Sequence, residues 1–536
     1  MTPPVAGQCP PSRLMRLKHL PCVSRLAAAV LWMLLAASVL RAEKPNIVLI
    51  LADDLGWGDL GCYGGKIPTP HCDRLAREGL RFTDFHTASS VCSPTRYSIL
   101  TGRYNWRSRL QKGVLWGFSR PLIPPSRQTL ASLLHDAGYA TACIGKWHLG
   151  LGWTLKAGVH PDNSSTDGSG ADFLQPVSGG PAALGFDRFF GITGSLDMPP
   201  FVYIDGDRPA GIPSVRKKYV RSGLAAPDFS GEQCPKVWAS KAGEFVAAQA
   251  AGKRPFFLYL PLTSPHTPIL PTREFSGKGL TPYADFVMET DWVVGQVLAA
   301  LETARVAANT LVLFTSDNGC SPAAGIPALQ KHGHFPNGPW RGTKADFWEG
   351  GHRVPLLARW PGRIQPGTGT AALTCSVDFF ATLAEIVGHQ PAAASAEDSV
   401  SFVPVLDGRK PLRTSLVSHS IDGEFAIRQG EWKLCLGPGS GGWSKPKNAW
   451  PAANPAQPET LVQLYDLAAD PGETKNLAET EGKRAADLAA LLADQLRRGR
   501  STPGPAAAND VPVSFHPKLL LAFPILQSAG SGRKSD

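Results

Sequence analysis

The chain has 536 residues, with 54 Lys and Arg against 44 Asp and Glu, for a formal net charge of +10. That length leaves room for a large core and two domains, and the 43% hydrophobic content is that of a globular protein. The basic excess reads either as a solvated surface or as attraction for anionic substrates, and no Lys/Arg run is long enough to call for nucleic acid as a partner.

At the N-terminus, Arg13, Arg16, Lys18 and Arg25 precede an uncharged apolar run over residues 26–40. That run is short of the roughly 20 residues a membrane span requires. Residues 1–42 therefore read as an export signal, with an uncleaved anchor as the alternative and no stable membrane span expected. Residues 1–14 are Pro-rich and unlike a leader, which makes Met15 a candidate for the true start. Export implies a periplasmic or secreted protein, or a lysosomal one in a eukaryote. It also permits disulfides, but the ten cysteines show no Cys-x-x-Cys or zinc spacing and their pairing stays open. Asn163-Ser164-Ser165 is a glycosylation sequon in a eukaryotic secretory route.

Residues 45–52 form a short, continuous, β-branched apolar run, the pattern of a strand buried on both faces in a parallel sheet. The run ends abruptly in Asp53-Asp54, two adjacent carboxylates that call for a cation. The loop over residues 56–64 is Gly-rich but lacks the Lys-Ser/Thr ending of a phosphate loop. Helices are expected over 70–79, 129–137, 238–251, 283–303 and 481–497. Further strands are expected at 139–144, ending in Lys146 and His148, at 255–260, ending near His266, at 309–315, ending in Asp317-Asn318, and at 356–360. Residues 151–230 lack clear periodicity.

Beyond about residue 410 short strands alternate with turn residues, which reads as a small antiparallel sheet followed by a helix. The expected organisation is a signal at 1–42, a catalytic domain at 43–410, an antiparallel-sheet subdomain at 411–500 and a tail at 501–536. The expected fold class is α/β, a large, mostly parallel, doubly wound sheet flanked by helices with that small C-terminal sheet and helix appended. In such sheets ligands bind at the carboxyl ends of the strands. Four strands deliver polar groups there: Asp53-Asp54, Lys146 with His148, His266, and Asp317-Asn318. Carboxylates and an amide suit a hard cation, Ca²⁺ or Mg²⁺, rather than zinc. Lys146, His148, His266, Lys344 and Arg96 can then surround an oxyanion.

The stretch Cys92-Ser93-Pro94-Thr95-Arg96 followed by Leu100-Thr101-Gly102-Arg103 reads as a helix start with a Gly stop, and places Cys92 just before the helix. Cys-x-Pro-x-Arg with Leu-Thr-Gly-Arg also resembles the signature of the formylglycine-dependent sulfatases of the arylsulfatase type, in the alkaline-phosphatase-like superfamily. The other motifs extend the resemblance over roughly residues 44–498. It implies that a formylglycine-generating enzyme oxidises Cys92 to formylglycine (3-oxoalanine). It implies that Asp53, Asp54, Asp317 and Asn318 bind Ca²⁺ with the modified Cys92 as a further ligand. Arg96 and Lys146 are implied to hold the formylglycine hydrate, His148 to act as base on it, and His266 and Lys344 to bind the sulfate. Ser195, in Gly191-Ile192-x-x-Ser195-x-Asp197, matches a sulfate-contacting serine.

The implied enzyme is a sulfuric ester hydrolase that converts a sulfate monoester to alcohol and inorganic sulfate. One hydroxyl of the hydrate attacks sulfur, Lys344 or His266 protonates the leaving oxygen, and His148 then takes the second hydroxyl's proton. Loop residues Trp116, Trp153, Arg216, Lys217, Lys218 and Trp443 read either as ordinary loop surface or as contacts for a sulfated carbohydrate substrate, with an aryl sulfate as the simpler form. Two rivals stand beside this reading: a phosphodiesterase or phosphonate-ester hydrolase of the same superfamily, and an inactive sulfoglycan-binding protein.

Overall fold

In chain order the strands are β1 (Asn46–Ala52), β2 (Leu80–Phe82), β3 (Phe85–His86), β4 (Ala140–Lys146), β5 (Arg188–Ile192), β6 (Ile204–Asp205), β7 (Arg208–Pro209), β8 (Val215–Lys218), β9 (Ser222–Ala225), β10 (Phe256–Pro261), β11 (Thr310–Ser316), β12 (Leu356–Arg359), β13 (Thr368–Thr370), β14 (Thr374–Cys375), β15 (Ser415–His419), β16 (Phe425–Gln429), β17 (Trp432–Leu436) and β18 (Val462–Asp466). This computed structural model describes residues 1–2, 44–159, 167–444 and 460–527. The signal read over residues 1–42 and the sequon at 163–165 lie outside the described residues, apart from residues 1 and 2. The account below concerns the unit that begins at Pro45.

Ten strands make one sheet in the order β13-β2-β12-β11-β1-β10-β4-β5-β6-β7. Its centre is parallel: β1 lies between β10 and β11, and β4 lies between β10 and β5. The edges turn antiparallel, with β12 against both β11 and β2, and β6 against β5. All seven residues of β1 are buried, as its unbroken apolar run requires for a strand with neighbours on both edges and helices on both faces. Each of its large aliphatic side chains contributes on the order of 2 kcal/mol through burial.

Two groups of helices cover this sheet. Cys234–Ala250 packs on β4, β10 and Pro282–Thr303, which in turn meets Pro70–Arg77. Cys92–Thr101, Leu130–Asp136 and Phe379–Val387 form the other group. Local chemistry starts them: the Thr281 hydroxyl accepts from the Ala284 N–H with Pro282 next in line, and Thr129 and Ser132 form a reciprocal capping box. The helix expected from 238 begins four residues earlier, at Cys234, because Pro235 is accommodated in the first turn. Cys92, expected just before its helix, is instead the first helical residue, with extended Val91 as cap.

The C-terminal sheet is β15-β16-β17-β18, antiparallel throughout. Helix Gly482–Arg498 lays Leu488, Leu492 and Leu496 against it at helical spacing, sharing a core with Tyr104, Trp106, Ile427 and Leu434. The chain after this helix returns to the large domain. Asp510 pairs with Arg103 at 3.0 Å, Asn509 accepts from Arg107 at 2.9 Å, and Leu519 and Leu526 are buried in that same core. Among the described residues no helix is long and apolar enough to cross a membrane.

Candidate active site

Four parallel strands end at one place. Beyond β1 the Asp53 N–H donates to the Ser264 carbonyl after β10 (3.0 Å), and the Asp317 N–H after β11 donates to the Ala52 carbonyl (3.1 Å). The ladder thus continues one step past the strands and brings Asp53, Asp54, Asp317 and Asn318 together. The Gly-rich loop locks this corner from behind. Asp59 accepts from the Gly56 N–H (2.7 Å) and the Tyr283 hydroxyl (2.6 Å) and faces His334 Nε2 at 2.9 Å. A Cβ on Gly56 would lie 2.1 Å from the Pro336 carbonyl oxygen, so only glycine allows the two loops to approach this closely.

The bases arrive from elsewhere. Lys146, the last residue of β4, donates through Nζ to Asp53 Oδ2 (2.6 Å) and to Ser195 Oγ (2.9 Å). Lys344 Nζ lies 2.9 Å from Asp54 Oδ2. Arg96, one turn into its helix, donates through Nε and Nη2 to Asp317 Oδ2 (3.0 and 2.7 Å) and through Nη1 to the Lys146 carbonyl (2.8 Å). His266 completes the ring, with Nδ1 3.3 Å from Ser195 Oγ and Nε2 3.6 Å from Asp54 Oδ2. Every residue that the resemblance singled out is therefore buried in one cluster, Ser195 included.

His148 is set apart by its tautomer. Its Nε2 donates to the Leu115 carbonyl at 2.7 Å, while its Nδ1 is buried without a partner among the described residues. Burial, reinforced by Lys146 and Arg96, pushes its pKa well below the usual 6.5, so the ring is a neutral base. Asp54, His148 and Ala345, at φ 66°, 57° and 83°, are three of the non-glycine residues with left-handed backbone, and all sit on or beside the cluster. The main-chain contact from Leu115 is the functional feature that sequence reading missed, because a carbonyl carries no side-chain signal.

The donor set fits a hard cation. Ligand atoms of Asp53, Cys92 and Asp317 lie within 4.8 Å of one another, as do those of Asp53, Asp54 and His266. Asn318 Nδ2 donates to Asp54 Oδ1 (2.8 Å), which leaves Asn318 Oδ1, like Asp53 Oδ1, buried without a hydrogen-bond partner among the described residues. Those are the oxygens that Ca²⁺ or Mg²⁺ takes. The three carboxylates also crowd each other. Burial and the Asp53 charge push the Asp317 carboxyl up to about 7, against Arg96 and Lys146. Burial alone would raise Asp53 too, but Lys146, His266 and Arg96 hold it well below the carboxylate range. Burial raises the Cys92 thiol as well, so a low-pKa thiolate is not what this corner stabilises.

The sulfatase family model matches residues 45–389, which run from the start of β1 to just past the Phe379–Val387 helix and include the whole cluster. The chain belongs to the sulfatase family. An N-acetylgalactosamine-6-O-sulfatase of Bacteroides thetaiotaomicron is 32% identical to this sulfatase over 501 residues, 84% of this chain and 93% of that protein. Arylsulfatase A of Bos taurus is 36% identical over 474 residues, 84% of this chain and 87% of its own. A solved structure from work on glycosaminoglycan metabolism by Bacteroides thetaiotaomicron superposes with a TM-score of 0.73 at 30% identity, covering 84% of this chain and 99% of that one. As a sulfatase, the protein is a sulfuric ester hydrolase.

A second His/Glu cluster, His86, Glu349 and His352, also has metal-ligand spacing. Its charges are already balanced. Lys433 Nζ reaches Glu349 (3.0 Å), Glu473 (2.8 Å) and His352 Nε2 (3.1 Å), while Arg353 pairs with Glu349 and Arg428 with Asp84. Three bases among these acids repel a divalent cation, so this cluster is a buried latch between the two sheets. Of the loop residues read as carbohydrate contacts or ordinary surface, Trp153 lies in the core, while Arg216, 55% exposed at its side chain, and Lys217 make local contacts. Trp153 is buried with Nε1 on the Gly117 carbonyl (3.0 Å), Arg216 pairs with Asp167 (3.0 Å), and Lys217 caps the Pro227 carbonyl (2.9 Å).

Proposed function

We propose that this sulfatase hydrolyses a sulfate monoester on a carbohydrate to the alcohol and inorganic sulfate, with Cys92 oxidised to formylglycine and one Ca²⁺ bound beside it. The observation that carries the reading is the convergence of three carboxylates, Lys146, Lys344, Arg96, two histidines and Cys92 where the parallel strands end. The names of relatives, among them an N-acetylgalactosamine-6-O-sulfatase, support a sulfated sugar as the substrate class.

Asp53, Asp54, Asp317 and Asn318 would hold the cation, and Arg96 would fix the Asp317 carboxylate in the required rotamer. Together, cation and aldehyde hydrate would supply an oxygen nucleophile acidic enough to act near neutrality. In the present geometry Lys146 and Lys344 serve as counter-ions for Asp53 and Asp54. With a cation held by the carboxylates, Lys146 and Lys344 would be free to bind the sulfate oxygens, with Ser195 and His266 as further donors. The site would then carry an uncompensated positive charge that the anionic sulfate ester would relieve. Lys344 Nζ or His266 Nε2 hands a proton to the leaving alcohol oxygen, and His148 Nδ1, already neutral and unpartnered, accepts the proton that regenerates the aldehyde.

Export through the leader at 1–42, maturation by a formylglycine-generating enzyme, and division into catalytic (43–410) and C-terminal (411–500) parts complete this reading. The test is mass spectrometry of the Cys92 peptide together with sulfate release from an aryl sulfate. Unmodified thiol in fully active protein, or Cys92→Ala with most activity retained, would overturn the formylglycine mechanism. Phosphate-diester turnover exceeding sulfate-ester turnover would favour the phosphodiesterase rival, and sulfoglycan binding without turnover the binding-only rival.

A further inference from the structure

Two tryptophans, and only two among the described residues, are exposed: Trp116 at 44% and Trp443 at 46%. Both adjoin the active-site cluster. Trp116 follows Leu115, whose carbonyl holds His148 Nε2. It precedes Gly117, whose carbonyl accepts from Thr193 Oγ1 at 2.6 Å. Its own N–H donates to Ser119 Oγ at 2.8 Å. A Cβ at Gly117 would sit 1.9 Å from the Pro199 carbonyl oxygen, so this loop lies directly on the segment that carries Ser195. An indole on such a pinned backbone is held exposed, at the cost of leaving its apolar surface in water.

The ring is also positioned. Arg221 Cζ lies 4.8 Å from the Trp116 ring centroid, and Arg221 Nη1 donates to Asp197 Oδ2 at 2.6 Å. Asp197 is two residues from Ser195 and buried, and its Oδ1 has no partner among the described residues. The arginine itself remains 42% exposed at its side chain. Trp443 approaches from the C-terminal part. The Ser444 N–H donates to Asp346 Oδ1 at 3.0 Å and the Phe347 N–H to the Ser440 carbonyl at 2.9 Å, which brings the Trp443 ring centroid to 5.9 Å from Lys344 Nζ.

We propose that Trp116, Arg221 and Trp443 form a saccharide-binding rim around this site. A pyranose offers an apolar C–H face to an indole and hydroxyls to the polar groups beside it. With Nη1 committed to Asp197, the remaining N–H groups of this half-exposed guanidinium suit a second anionic group, a carboxylate or another sulfate, on the adjoining sugar. The preferred substrate is thus a sulfated sugar linked to an acidic one, rather than a flat apolar sulfate, which would call for an enclosed apolar slot in place of an open, charged rim. This inference rests on the sulfatase reading above.

The test compares three esters on protein whose Cys92 is verified as formylglycine: 4-nitrophenyl sulfate, a 6-O-sulfated N-acetylhexosamine, and the same sugar linked to a uronic acid. Wild type is expected to favour the uronate-bearing disaccharide. Trp116→Ala and Trp443→Ala are each expected to raise KM about tenfold for both saccharides and less than about threefold for 4-nitrophenyl sulfate, the loss of one stacking contact. Arg221→Gln is expected to erase the preference for the uronate, and Trp116→Phe, which keeps an aromatic face, to restore most of the saccharide affinity. Variants that alter all three esters equally, or none, overturn the rim, with thermal melts separating misfolding from lost contacts. Wild type that cleaves the aryl sulfate but neither saccharide overturns the rim and leaves the sulfatase reading standing. Wild type that cleaves none overturns both.

Discussion

His148 Nε2 lies 2.7 Å from the Leu115 carbonyl, and that single main-chain contact decides which ring nitrogen can act as a base. The bond places the proton on Nε2 and leaves the buried, unpartnered Nδ1 with its lone pair. His148→Gln is therefore expected to lower kcat for sulfate release by about 10²- to 10⁴-fold with little change in KM. Steady-state kinetics check this, with the formylglycine content of the variant measured in parallel. An unchanged kcat would remove His148 from the base role.

Chelation should act on stability as well as turnover. Three buried carboxylates converge, and Asp53 Oδ1 and Asn318 Oδ1 have no hydrogen-bond partner among the described residues. A cation present at about 100 times its Kd contributes roughly 2.7 kcal/mol to the folded state. Treatment with EGTA is expected to lower Tm by several degrees and abolish sulfate release, and added Ca²⁺ to restore both. A Tm indifferent to EGTA and to Ca²⁺ would count against a cation at this site.

The latch between the sheets offers a prediction remote from catalysis. Lys433 is buried and sits 3.0 Å from Glu349 and 2.8 Å from Glu473. Lys433→Met removes the shared cation and leaves two buried carboxylates facing each other. The expected loss is about 3–5 kcal/mol, read as a lower denaturation midpoint in urea. A loss below about 1 kcal/mol would mean that the network relaxes around the missing charge.

Acid should weaken the packing at His419, the last residue of β15, whose carbonyl accepts from the Ser90 N–H at 3.0 Å. Burial, with Lys112 adding to it, pushes this histidine down to about 3 in the folded protein, against 6.5 for an ordinary imidazole. The folded-state pKa is depressed, so its stabilising effect is full above pH 6.5 and is lost progressively as pH falls from 6.5 toward 3. Thermal melts between pH 7.5 and 4 should show a steeper decline for wild type than for His419→Gln, which keeps a polar side chain but does not titrate there. Parallel curves would assign the acid sensitivity to other groups.

The alternation of apolar runs with amphipathic segments was enough to read the parallel core, since β1, β4, β10 and β11 are buried along their whole length. Strands β5 to β9 were not legible in residues 151–230, and neither were β2 or the Phe379–Val387 helix. The first group is half-exposed and two to five residues long, too short for a period to emerge. The other two take their form from neighbours distant in sequence, such as the pairing of β2 with β12 and β13.

By itself, the sequence determined the chemistry of the site: which carboxylates, lysine and histidines follow which strands and which cysteine opens a helix, and hence a cation and an oxyanion in one place. That information is local, since residue type and strand position suffice to state it. Tertiary structure alone decided how those groups are paired, because pairing depends on side chains hundreds of residues apart. It placed Arg96 on Asp317, fixed the tautomer of His148 through Leu115, buried Trp153 and left Trp116 exposed on the same loop contact. Whether a loop tryptophan fills a core or faces a substrate is settled by the packing around it, and two indoles in similar Gly-rich surroundings took opposite outcomes here.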